Sequence, residues 1–242
     1  MVRALILSAL AIASVGCADV SPSDAETAED ALTALGPEAY RSYAAIAAAG
    51  GEAPRAGTVT VLGLRGLSSE GAIHATTFAR AFDDTVIVFG ADGVTARRFA
   101  ASTHPFELRG VAGVPDVNGD GVADVGMIRP GVYEVSGRKR LIAGAASFAV
   151  TQLGQGRLPG WRDVDHDGIL SDDERAVSER RNDGLTDVLF HQGEGGAPPA
   201  VGCQVLPAAA MRGFTSAVGG GRARFRYVLV DMTGAEASTL PR

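Results

Sequence analysis

The chain has 242 residues, enough apolar side chains for a core, and a net charge of −6 from 22 basic and 28 acidic residues. The length suits one main domain with a short extension. Its arginines are scattered, so there is neither the basic stripe that neutralising phosphates requires nor a long acidic tail, and nucleic acid is excluded as the expected partner.

In chain order, Arg3 supplies a positive start, residues 4–13 an apolar run, and Ser14-Val15-Gly16-Cys17 a set of small residues. That is the pattern of an export signal over residues 1–16, too short to span a bilayer, which takes about 20 apolar residues. Cysteine directly after Val-Gly resembles the lipobox of bacterial lipoproteins. The resemblance implies that Cys17 is lipidated and anchors the protein in the cell envelope. Ala18, rather than aspartate, after that cysteine points by sorting analogy to the periplasmic side of the outer membrane. Of the two cysteines, only Cys203 then remains, an unpaired thiol in an oxidising compartment.

Residues 17–56 are rich in Ala, Ser, Glu and Asp, with helix-favouring stretches on either side of Gly36-Pro37, and are expected to be a tether. From Gly57 the texture changes to short β-branched or alternating runs punctuated by glycine. Strands are expected over 58–64, 85–89, 97–102, 131–136, 147–153, 186–192 and 224–232. Two helices are expected among them, over 172–181 and 207–218; Pro207 suits a first turn, and Met211, Phe214 and Val218 share a face. The expected organisation is a mainly β domain over 57–232 and a C-terminal tail over 233–242.

Two aspartate loops interrupt this domain. Asp163, Asp165, Asp167, Ser171 and Glu174 fall at positions 1, 3, 5, 9 and 12 of a calcium loop, with Gly168 at position 6 and the Ile169 carbonyl at position 7. Six or seven hard oxygens around one cation need that spacing. Pro159 and Gly160 just before the loop argue against an entering helix, so a calcium-like loop is expected rather than an EF-hand pair. Asp116, Asn118, Asp120 and Asp124 repeat the opening of the motif, but Met127 stands where the glutamate belongs. Loops rich in Asp, Asn and Gly are also simply good turns. Any bound Ca²⁺ is expected to be structural, with no cofactor required for catalysis. The second motif also resembles FG-GAP propeller repeats, yet two copies starting 47 residues apart do not make a propeller.

The remaining chemistry lies at His191 and Cys203, at opposite ends of a Gly/Pro-rich loop. A thiolate attacks carbonyls, and needs an imidazole to take its proton and backbone amides to hold the oxyanion. The expected helix near Pro207 would place its N-terminal amides close enough to lower the thiol pKa. His74, His104 and His166 show no zinc-protease spacing, and no G-x-S-x-G occurs. The alternative is that Cys203 is a small buried hydrophobe and His191 a satisfied strand-end histidine.

His191-x-Gly193 followed by Gly202-Cys203 resembles the signature of L,D-transpeptidases of the YkuD type, in a divergent phage-related branch. Gly63-Leu-Arg-Gly66, Phe82-Asp-Asp-Thr85, Ala101-Ser-Thr-His-Pro105, Arg129-Pro-Gly-Val-Tyr133, Gln152 and Trp161-Arg-Asp163 follow the order seen in that branch. The resemblance runs from Gly57 to Asp231 and implies a β-sandwich of mixed strands with one or two short helices. It also implies action on peptidoglycan stem peptides, with Cys203 as nucleophile, His191 as base, and Gly202 and Cys203 amides as oxyanion hole. Gly193 would supply a carbonyl that orients His191. Ala200 and Val205 depart from the family, which commonly has serine and arginine at those places. The competing expectation is a non-enzymatic, calcium-stabilised envelope lipoprotein on a degenerate scaffold of this kind, binding cell wall or a partner.

Overall fold

The structure is a computed structural model and describes residues 34–111, 113–138, 141–152, 156–193 and 200–233. The signal segment and Cys17 lie outside the described residues. Among the described residues, eleven strands and three helices make a mainly β fold, and no helix is long and apolar enough to cross a membrane.

Eight strands form one mixed sheet in the order β10-β9-β6-β5-β11-β1-β2-β3. These are β1 (Thr60–Arg65), β2 (Asp84–Phe89), β3 (Ala96–Ala101), β5 (Gly131–Gly137), β6 (Phe148–Thr151), β9 (Leu189–Gln192), β10 (Gln204–Leu206) and β11 (Arg224–Asp231). The pairs β1/β11 and β9/β10 are parallel; the other pairings are antiparallel. The sheet curls until its edges meet. Just past β3, the Ser102 amide donates to the Val205 carbonyl at 2.7 Å, and the Val205 amide returns a bond to Ser102 at 2.8 Å. A smaller sheet of β4 (Gly126–Ile128), β7 (Leu158–Arg162) and β8 (Gly184–Leu185) lies alongside.

The interior of the curl is filled by inward-facing residues such as Val61, Val86, Phe148, Phe190 and Tyr227, and by one face of helix α3 (Ala208–Ala217). Phe214 of α3 stacks on Phe190 at 5.5 Å between centroids and meets Phe99, Phe148 and Phe225 edge-on. Met211, Phe214 and Val218 all reach this core, as their spacing predicts.

Helix α1 (Pro37–Ala49) alters the expected boundary of the domain. It starts at Pro37, whose fixed φ suits a first turn, but it is no tether. Tyr43 and Ala47 are buried against Leu62, Leu64, Phe89 and Val228 on the outer side of the sheet. That cover explains why β1 and β2 are buried along their whole length rather than alternately. The packed unit therefore begins upstream of Gly57, because alanine along one helical face allows a close approach that its own small apolar area does not advertise.

Candidate active site

His191 lies on β9, and Cys203 directly precedes β10, its parallel neighbour. Phe190 and Gln204 are paired in register, and both point inward: Phe190 packs on Tyr227 at 4.8 Å, and Gln204 accepts a hydrogen bond from the Tyr227 hydroxyl at 2.6 Å. Since side chains alternate along a strand, anchoring these two inward turns His191, Val205 and Cys203 to the opposite face. In this register Val205 is level with His191, and Cys203 lies two positions earlier. One strand spacing and two residues of rise separate the Cα atoms of His191 and Cys203 by roughly 8 Å, a gap that an imidazole and a thiol span between them.

His191 is almost fully buried, and its Nδ1 lies 2.7 Å from the carbonyl oxygen of Gln192. A carbonyl only accepts, so Nδ1 carries the proton and Nε2 holds the lone pair in the neutral ring. Burial lowers the His191 pKa, the Gln192 contact opposing it, and this favours that neutral form. The orienting carbonyl is thus that of Gln192 and not Gly193. Gly193 has another reason to be small: a Cβ there would fall 3.0 Å from both Phe82 and Phe106 and 2.5 Å from Val205.

Cys203 is half-buried and ringed by Phe82, Phe106, Ala200 and Val205. Its Sγ lies 3.9 Å from the Asp187 carbonyl. Desolvation pushes the thiol up to about 11, outweighing a contact from the Leu189 backbone, with the Asp187 charge adding to the rise. The expected lowering by a helix N-terminus does not occur. Strand β10 stands between Cys203 and α3, so the thiol opens a strand and lies away from the free amides of the helix. The resting groups are accordingly a neutral thiol and a neutral imidazole.

Ala200 and Val205 are 1% and 0% exposed and packed against Phe106, so they form an apolar wall. A charged group stands near that wall: Arg80 lies over the Phe106 ring at 5.7 Å and bonds Glu107 at 2.6 Å. A cavity of about 540 Å³ adjoins Gln192 and Met211 rather than Cys203.

Gly202 adopts φ +139 and packs on the small sheet, where an added Cβ would lie 2.7 Å from the Gly126 carbonyl oxygen. The segment after β3 runs along the other side of the Cys203 loop, with the Phe106 amide donating to the Ala200 carbonyl at 2.9 Å. Behind Phe82 and Phe106, His104 Nε2 lies 2.8 Å from Asp83 Oδ1, and Arg65 is tied through Thr103 to Asp84. Among residues that spacing alone overlooked, Phe82, Asp83, His104 and Phe106 flank the site; their only signal in the sequence was membership of the conspicuous segments around Phe82 and His104.

The two aspartate loops also meet. In one, Gly168 N donates to Asp163, Asp167 N to Asp165 and Ile169 N to Asp167; in the other, Gly121 N donates to Asp116, Asp120 N to Asn118 and Val122 N to Asp120. The amide at position 2 goes to Glu174 in the first, from Val164 at 2.8 Å, and to Asp124 in the second, from Val117 at 2.5 Å. Asp124, three positions early, thus takes the closing role that Met127 cannot. Asn118 reaches across to the Val164 carbonyl at 2.8 Å. Ser171 caps helix α2 (Asp172–Arg181) and forms a capping box with Glu174.

Comparison with known families, with curated proteins and with solved structures finds no match to this chain.

Proposed function

We infer that the protein is an L,D-transpeptidase-like cysteine acyltransferase of the cell envelope, with Cys203 as nucleophile and His191 as base. The observation that carries this reading is the register of a parallel strand pair, which puts a buried imidazole with Nδ1 bound to a carbonyl level with Val205, two residues after the thiol. The nearly closed mixed sheet, and the gathering of the Phe82 and His104 segments round the thiol, support kinship with the L,D-transpeptidase sandwich.

In the proposed reaction His191 Nε2 takes the Cys203 proton as sulfur attacks the carbonyl carbon at the L-centre of meso-diaminopimelate in a stem tetrapeptide. The oxyanion forms near the Gly202 and Cys203 amides. The C–N bond then breaks, and the leaving amine takes the proton from the imidazolium. An acceptor amine or water resolves the thioester. Attack requires the thiol to leave the Asp187 carbonyl and turn toward the imidazole. The substrate, the lipid anchor at Cys17 and the envelope location follow from the sequence resemblance.

The test is to incubate the protein with peptidoglycan stem peptides and analyse the products by mass spectrometry. Wild type is expected to give a thioester adduct and crosslinked or trimmed peptides; a folded Cys203→Ala variant giving the same products would sink the reading. A second reading is favoured by the apolar packing of Ala200 and Val205 and by the raised thiol pKa: a non-enzymatic envelope protein on the same scaffold. It predicts no adduct with any stem peptide.

A further inference from the structure

Independently of the chemistry at Cys203, each aspartate loop holds a fully buried carboxylate oxygen without a hydrogen-bond partner, Oδ1 of Asp163 in one and Oδ1 of Asp124 in the other, but among the described residues only the first belongs to a cluster of three carboxylates. Asp163 is fully buried, and its Oδ1 has no hydrogen-bond partner among the described residues. Carboxylate oxygens of Asp163, Asp165 and Glu174 lie within 4.8 Å of one another. A buried, unpartnered carboxylate oxygen facing two further carboxylates is costly unless a cation sits among them. Hard oxygen donors at this density, with an adjoining carbonyl at Ile169, suit Ca²⁺.

In the other loop the corresponding space is approached by a side chain. His166, at position 4 of the Asp163 loop and held at φ +60, brings Nε2 to 3.4 Å from Asp120 Oδ2 and 3.6 Å from Asp124 Oδ1. Asn118 docks the same loop on Val164. We propose that the pair binds a single calcium ion, held by Asp163, Asp165, Asp167 and Glu174, while the Asp116 loop is a non-binding copy filled by His166. The ion would tie β7, which ends at Arg162, to α2, which begins at Asp172, and so fasten the small sheet on which Gly202 rests.

Trp161, the only tryptophan of the chain, stands two residues before Asp163, buried and bonded through Nε1 to Glu179. Its fluorescence is a built-in reporter. Chelator-treated full-length protein titrated with calcium chloride is expected to show a saturable emission change at one equivalent and a melting temperature at least 5 °C higher at saturation (order of magnitude by mass action). Asp163→Asn is expected to abolish both effects. Asp165→Asn, at an exposed position where folding is not at stake, is expected to weaken binding at least tenfold. Asp116→Asn is expected to leave the stoichiometry at one. Absence of any calcium effect on wild-type emission and melting overturns the site; two equivalents bound overturn the assignment of His166 to the second loop.

Discussion

Gly202 lies so close to Gly126 that a methyl group on the former would sit 2.7 Å from the carbonyl oxygen of the latter. The same methyl would be 2.5 Å from Leu185, and the backbone at φ +139 resists any side chain. The loop before Cys203 is thereby seated on the small sheet. Gly202→Ala is predicted to destabilise the protein by about 2 kcal/mol or more and to slow alkylation or acylation of Cys203. Chemical denaturation and single-turnover labelling measure the two effects; a fully stable, fully reactive variant would contradict the seating.

The thiol titration follows from its apolar ring. Because burial raises the Cys203 pKa to about 11, iodoacetamide labelling of the resting protein is expected to rise steadily with pH and to reach half its maximum near that value. The folded pKa lies above the unfolded one of about 8.5, so the group favours the fold below that pH and loses its contribution as pH climbs toward 11. A labelling midpoint below 8 would instead indicate a resting thiolate.

Arg65 and Asp84 are both fully buried, and Thr103 joins them: its hydroxyl accepts from Arg65 Nε at 3.2 Å and donates to Asp84 Oδ2 at 2.7 Å. Asp84 also accepts the Gly66 and Thr103 amides. Asp84→Asn turns one acceptor into a donor facing donors and removes one of the two carboxylates, with Asp231, that balance the guanidinium. A loss of about 3–5 kcal/mol is expected in urea unfolding.

His104 and Asp83 give a second pH dependence. Burial opposes charge on both, yet their contact prevails, holding His104 above its ordinary value and Asp83 below its own. The histidine contribution is present in acid and disappears as pH rises through its raised pKa; the aspartate contribution is present near neutrality and disappears as pH falls through its lowered one. Thermal unfolding of His104→Asn should lack the alkaline arm of the wild-type profile, the loss of stability that sets in as pH rises above the ordinary histidine value of about 6.5. An unchanged profile would remove the pair from the account.

Tyr43 anchors α1 on the outer sheet face. Tyr43→Ala is expected to cost about 3 kcal/mol, by analogy with other large-to-small core changes. A tether residue would cost nothing measurable, so the melting temperature of this one variant separates the two arrangements.

Much of the β framework was legible because its runs are short, β-branched and bounded by glycine, and helix α2 spans the expected residues 172–181. Strand β10 was not, since three residues after a Gly/Pro loop carry too little period to stand out from the following helix. That omission also put Cys203 at a helix N-terminus. Helix α1 was misjudged because alanine content conceals how close a helix can approach a sheet. At the site, the residues with chemistry were visible, but the Gln192 carbonyl was not, because a backbone acceptor has no signature in side-chain identity. Likewise Asp124 replaces a glutamate three positions later only through the path of the backbone.

The seam between Ser102 and Val205 bears on β10, the strand that directly follows Cys203. Without it, β10 would offer unpaired amides and carbonyls along its length, an open template for another extended chain. Two exchanged hydrogen bonds close that edge, so a peptide approaching Cys203 cannot add as a further strand beside β10 and has to enter across the face of the sheet. A seam of one residue pair is also the thinnest join in the circumference, and amide exchange at Val205 should be the first in the large sheet to report its opening.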